Sequence, residues 1–179
     1  MNNASPSNVL RACDLLSQSE NDAIARFAAA AAVPDAPALA RFLAETFGLD
    51  LVTDPDIVRG FVSDESHLPG EAVGVCRPRT RREVAIVLRT CFRCGMPATV
   101  SSGRSSLTGS ATPEGGILVS LAALQEPAFA VDMAARTVEA PVGMFLEDLR
   151  KAVLAATNGR LAYPVDPTSR AEATVGGTI

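Results

Sequence analysis

The 179-residue chain holds one tyrosine, one histidine and no tryptophan. With aromatics at 4%, it offers few flat faces on which bases or sugars stack. Positive charge is also short: 16 Lys and Arg stand against 20 Asp and Glu, giving a net charge of −4 and a pI near 5.0. That balance argues against nucleic acid or an anionic membrane as a partner. The local run Arg77, Arg79, Arg81 and Arg82 is broken by Pro78 and followed by Glu83, so it reads as the solvated entrance to a helix. Long apolar runs are missing too. The most apolar stretch, AIARFAAAAAV at 23–33, is interrupted by Arg26, ended by Pro34 and too short to span a bilayer. The first residues, MNNASPSNVL, have neither a basic nor an apolar region, so no secretory signal is expected and the chain reads as soluble and cytoplasmic.

Four cysteines do not make a metal site here. Cys91 and Cys94 form a C-x-x-C, but Cys13 and Cys76 supply no second pair at zinc-ribbon spacing, and His67 is the only histidine. No metal is expected. Positions 91 and 94 fall late in a helix, where residues three apart share a face, so buried thiols are the simpler reading than a redox pair.

What is present suits a globular core: 47% of residues are hydrophobic and 20% charged. Up to residue 50 the pattern is helical. Ser19 and Asp22 have capping-box spacing ahead of the Ala-rich helix, and Asp35 is placed to cap a second helix that carries Leu39, Leu43 and Phe47 and stops at Gly48. From residue 72 strands and helices alternate. AVGVC (72–76) reads as a strand, Thr80 opens a helix closed by Gly95, and PATV (97–100) reads as a second strand, which makes a βαβ unit with parallel pairing. ILVSL (117–121) is a third strand, AVDMAARTVEA a hairpin turning at 133–136, and 145–156 a helix with Leu146, Leu149, Val153 and Leu154 inward.

Between the second and third strands lies SSGRSSLTGSATPEGG, residues 101–116, whose composition suits a slack linker. Its setting between core strands suits an anion cradle equally well, with small residues that let backbone N–H groups approach and hydroxyls that donate. The dinucleotide fingerprint G-x-G-x-x-G and the P-loop G-x-x-x-x-G-K-S/T are both absent. The residues alone leave linker and cradle open.

A series of landmarks favours the cradle. VCRPRTRREV (75–84) resembles a V-x-x-P-x-S/T-x-x-E-V stretch that follows an Asp, here Asp64 in SDES. SSGRSSLTGSATP is similar to a loop R-G-x-G-T-x-L-x-G-x-A-x-P at Leu107, Gly109, Ala111 and Pro113, while Ser101 and Ser102 replace its first two residues and Arg104 its second Gly. DPTS (166–169) and TVGG (174–177) resemble D-P-x-S and S/T-I/V-G-G motifs that come last in the same order. From Gly70 to Ile179 the chain thus resembles the start of an FAD-binding domain of the vanillyl-alcohol oxidase and p-cresol methylhydroxylase (PCMH) type, on the branch with D-lactate dehydrogenases and the glycolate oxidase flavin subunit.

The resemblance implies an α+β fold: a helical appendage over 1–60, then over 61–179 the first βαβ-containing subdomain of a PCMH-type domain, incomplete at its C-terminus. It implies that Ser102, Gly103, Arg104, Ser105, Ser106, Gly109 and Ser110 cradle the FAD pyrophosphate, with Asp166, Thr174, Gly176 and Gly177 approaching the adenosine or flavin side. Ser105 stands where relatives with covalent flavin carry His, so non-covalent FAD is expected. A completed chain would oxidise a small 2-hydroxy acid such as D-lactate or glycolate. No catalytic residue is assigned, because the resemblance places those groups beyond residue 179. The alternatives are an inactive domain fragment that binds FAD weakly or packs on a partner, and a nucleotide-binding module unrelated to flavin.

Overall fold

The computed structural model describes residues 15–30 and 33–178. Cys13 with the rest of 1–14, residues 31 and 32 of the stretch expected to be Ala-rich helix, and Ile179 lie outside the described residues.

Helix α1 (Gln18–Ala30) starts at a capping box two residues earlier than expected. The Ser17 hydroxyl accepts the Glu20 N–H at 3.3 Å, and the Ser17 N–H donates to the Glu20 carboxylate at 2.6 Å. Ser17–Glu20 has the same spacing as Ser19–Asp22, and the longer Glu side chain reaches back to the cap N–H. Helix α2 (Ala36–Phe47) begins where Asp35 accepts the Ala38 N–H at 2.8 Å, and it ends at Gly48 with φ 67°. The Phe27 and Phe42 rings stack at 4.0 Å and hold the two helices together.

Two short elements follow that sequence periodicity does not reveal: strand β1 (Leu51–Val52) and helix α3 (Pro55–Arg59), capped by Asp54. Strand β2 (Gly74–Cys76) leads to helix α4 (Arg81–Cys94), where Thr80 accepts the Glu83 N–H at 3.2 Å and Gly95 closes the last turn at φ 66°. Strands β3 (Ala98–Ser101) and β4 (Ile117–Ser120) complete a sheet in the order β1-β2-β4-β3.

That order corrects the expected direct pairing of β2 with β3. Both are parallel to β4, which lies between them, with Val119 opposite Cys76 on one side and Val100 on the other. The reason is burial. All four residues of β4 are buried, whereas β3 exposes Ala98 and Val100, so the continuously apolar strand takes the centre and the alternating one the edge. β1 adds antiparallel to the far side of β2.

Strand alternation then sorts the core into two layers. Ile117 and Val119 face a cluster with Ile24 of α1, Leu39 and Leu43 of α2, and Ile86 and Val87 of α4, while Leu118 packs with Val58 and Val75 on the other face. The N-terminal helices therefore share the main core. The hairpin forms as expected from β5 (Ala130–Asp132) and β6 (Thr137–Glu139), with the Asp132 carboxylate holding the turn through the Ala134 and Ala135 N–H groups. In α5 (Leu146–Ala156), Leu146, Leu149 and Val153 are buried with Val175, but Leu154 is 46% exposed. At 100° per residue Leu154 lies well off the face shared by 149 and 153.

Cys76, Cys91 and Cys94 are free and buried. Burial pushes the Cys76 thiol up to about 11 and the Cys91 thiol up to about 12, so the C-x-x-C is helix packing rather than a reactive pair. Among the described residues no group of three His, Cys, Asp or Glu is placed to hold a metal, and no helix is long and apolar enough to cross a membrane.

Candidate functional site

At the carboxyl ends of β3 and β4 the chain leaves a cleft of about 440 Å³. The ends of parallel strands are where open α/β sheets commonly place ligands, since the loops that follow diverge there. One wall is Ser102 to Ser106 with Ser110; the facing wall holds Thr174, Gly176 and Gly177. Nine of the eleven residues expected from the sequence thus come together from segments about seventy residues apart.

The walls meet at Gly103. Its N–H donates to the Thr174 hydroxyl at 3.3 Å, and a Cβ at this position would overlap the Glu172 carbonyl oxygen. Thr174 is buried and pairs with Phe145 in an isolated bridge, which ties this wall to the start of α5. The 3₁₀ turn Val175–Gly177 follows, and the Gly176 N–H donates to the Val142 carbonyl at 3.0 Å.

Arg104 occupies the left-handed region at φ 55°, in the position where the resembled loop has glycine. Its guanidinium turns out of the cleft, donates to the Gly60 carbonyl and lies 5.4 Å from the centre of the Phe61 ring. Arg77 approaches the same ring at 5.8 Å. No carboxylate side chain lines the cleft, so an anion would meet backbone dipoles and hydroxyls without a repelling charge.

Two expected residues are not on the lining. Gly109, at φ 74°, is a turn glycine whose missing Cβ makes room for Leu68, which would lie 2.7 Å away. Asp166 is drawn toward α5: it accepts from Arg170 at 2.9 Å and lies 3.2 Å from Arg150, and the Arg170 hydrogen bond holds its carboxyl below the usual carboxylate range. Conversely, Ser101, Leu121, Val142 and Thr178 line the cleft without having been singled out. Ser101 and Thr178 adjoin the motifs that were, whereas Val142 carries no local signal.

Behind the loop sits Asp64, 5% exposed. One carboxylate oxygen accepts the Ser66 hydroxyl and the Ser66 N–H at 3.0 Å, and the other accepts the Ala111 N–H at 3.3 Å. The Ser66 hydroxyl bond is the main cause that holds the carboxyl below its usual range. His67, at φ 57°, is exposed beside it and is not on the cleft lining.

A second cavity of about 380 Å³ lies beside β2, where Arg77 and Arg79 are opposed by Asp50 and Glu83. The rest of the basic run is spent on acids: Arg81 pairs with Glu126 at 3.4 Å and Arg82 with Glu20. This is the solvated helix entrance expected from the sequence.

The first wall suits a diphosphate on two observations. The Ser101 and Ser102 hydroxyl oxygens are buried and have no hydrogen-bond partner, and the N–H groups of Arg104, Ser105 and Ser106 find no acceptor among the described residues. Buried hydroxyls without a partner are costly, and an anion's oxygens would satisfy them and accept from the three half-buried N–H groups as well.

Comparison with known proteins bears on the family and the fold. Residues 72–179 match the protein family described as FAD binding domain. Among solved structures, a variant of BBE-like 1 from Physcomitrella patens superposes with a TM-score of 0.58 at 16% identity over 76% of this chain and 29% of its own. The xylooligosaccharide oxidase from Myceliophthora thermophila C1, in complex with xylobiose, superposes with a TM-score of 0.54 at 19% identity over 73% of this chain and 27% of its own. At such identities the likeness is one of fold, and the chain spans less than a third of either protein. No curated protein matches the chain significantly. With the family match covering well over half of its length, the chain belongs to the FAD-binding domain family of the PCMH type.

Proposed function

We propose that the Ser101–Ser106 wall holds the pyrophosphate of FAD without a covalent bond, and that the chain serves as the FAD-binding portion of a flavin-dependent oxidoreductase. The observation that carries this is the set of unpaired donors, two buried hydroxyls and three N–H groups, on a wall free of carboxylates. Ser105 and Ser106 add hydroxyls at the mouth, while Gly103 lets the second wall close against the first. Gly177 leaves room for a flat group, with nothing within 4 Å of a Cβ there, while Gly176 lets the turn pack against Val142, 3.1 Å from where its Cβ would lie. Gly109 and Asp166 shape the site from outside its lining. When bound, FAD supplies two-electron redox chemistry, and the residues described here orient it and exclude water.

Non-covalent binding is supported by the lining itself, which contains no His, Cys or Tyr to bond the flavin. A 2-hydroxy acid such as D-lactate or glycolate is the proposed substrate class, supported by the order of sequence landmarks; no described residue is assigned to it. The free, buried thiols fit a reducing compartment such as the cytoplasm.

Equilibrium dialysis with FAD, followed by acid precipitation, tests this reading. One FAD per chain is expected, displaced by ADP, which carries the same diphosphate, and recovered wholly in the acid supernatant. Flavin retained in the pellet would contradict non-covalent binding, and failure of ADP to compete would contradict the diphosphate assignment.

A further inference from the structure

We propose that Asp64 is a positioning residue for the cleft: the turn it organises clamps both ends of the loop that runs from Arg104 to Ala111, and so sets where that loop presents its donors. The inference rests on the reading of the cleft as a diphosphate site.

Two clamps are visible. At one end the Glu65 N–H donates to the Arg104 carbonyl at 3.2 Å, which fixes the residue in the left-handed conformation. At the other, the Asp64 carboxylate accepts the Ala111 N–H. Adjacent residues of one turn therefore hold positions seven apart in the loop, and the turn is itself braced by Ser66 and by the His67 N–H, which donates to the Asp64 carbonyl at 3.1 Å. Between the clamps, Ser106, Thr108 and Ser110 bond only one another among side chains, with Ser110 donating to Ser106 at 2.9 Å. The other restraints are the packing of Leu68 against Gly109 and the Arg104 side chain on Gly60 and Phe61, so the two backbone clamps carry the hydrogen bonding that sets the loop's position.

Asp64 has no ion-pair partner among the described residues, since the nearby Arg104 guanidinium is committed to Gly60 and Phe61. A buried carboxylate held by neutral donors alone is an expensive way to add stability. What a neutral side chain of the same size lacks is a second acceptor oxygen. Asparagine offers one oxygen where Asp64 uses two, so it keeps either Ser66 or Ala111 and sets an N–H against the other donor.

The test compares wild type with Asp64→Asn by titration with FAD, ADP and adenosine, and by amide hydrogen exchange without ligand. Loss of one hydrogen bond to a charged group corresponds to a weakening of about tenfold or more, expected for FAD and ADP and not for adenosine, which lacks phosphate. Exchange at Ala111 is expected to rise in the unliganded variant while core amides of β4 stay protected. Should the variant fail to fold, Ser66→Ala removes a donor to the same carboxylate and is expected to show a smaller loss with the same ligand pattern. Unchanged FAD and ADP affinity, or an equal loss for adenosine, would overturn the positioning role. If wild type binds neither FAD nor ADP, the cleft reading fails by itself, and unchanged Ala111 exchange would then refute the clamp independently.

Discussion

Gly103→Ala is expected to weaken FAD binding by at least about a hundredfold, the loss of one or two charge-assisted hydrogen bonds. The added methyl would overlap the Glu172 carbonyl oxygen and come within 3.2 Å of the Thr174 side chain and 3.3 Å of its backbone nitrogen. Both obstacles are parts of the facing wall, so relief requires the two walls to separate. Separation breaks the Gly103–Thr174 hydrogen bond and moves Arg104, Ser105 and Ser106 away from Gly176 and Gly177. Gly177→Ala is the matched control, because nothing lies within 4 Å of its Cβ and its φ is not positive. Its unfolding free energy should stay within about 0.5 kcal/mol of wild type. Fluorescence titration of Gly103→Ala with FAD checks the loss, with Gly177→Ala controlling for stability alone; equal affinity of Gly103→Ala and wild type would show that the junction does not set the site.

A larger effect on stability is expected from Gly116→Ala, about 3–5 kcal/mol, measured by urea unfolding. Gly116 sits at φ 65°, and a Cβ there would overlap the Pro97 carbonyl oxygen and lie 2.6 Å from its carbon. That carbonyl is no bystander: it accepts the Ile117 N–H at 2.9 Å and starts the pairing of β3 with β4. On the other side the Gly116 carbonyl accepts the Val73 N–H at 2.7 Å, just before β2. Alanine would add backbone strain and push apart the entry to the central strand. Against a total of about 5–15 kcal/mol for a domain, this leaves a marginal or unfolded protein. A variant as stable as wild type would mean that the strand entry is not fixed by this glycine.

Local chemistry made much of this legible from the chain alone. Asp35, Thr80, Gly48 and Gly95 bound their helices because caps act within three or four residues, and the 130–140 hairpin alternates over a turn that Asp132 closes by itself. The loop at 101–106 and the TVGG turn were visible as motifs. What stayed hidden depends on partners distant in sequence. β1 has two residues and no period, and it exists because β2 offers an edge. The place of β4 between β2 and β3 is decided by which strand can be buried on both faces, a comparison that no single segment contains. Arg104 belongs to the expected cradle by its position in the loop, but Phe61 and the Gly60 carbonyl, distant in sequence, hold its guanidinium away from it. Asp166 likewise answers to Arg150 and Arg170, and Val142 reaches the cleft only through its bond to Gly176.

Amide hydrogen exchange of the chain with and without saturating FAD tests the central claim most directly. Slowed exchange is expected at Arg104, Ser105 and Ser106, whose N–H groups are unpaired without ligand, together with the turn at 174–177, and no change at Arg77 and Arg79 beside the second cavity. Protection confined to the second cavity, or none at Arg104 to Ser106 at saturation, would contradict it.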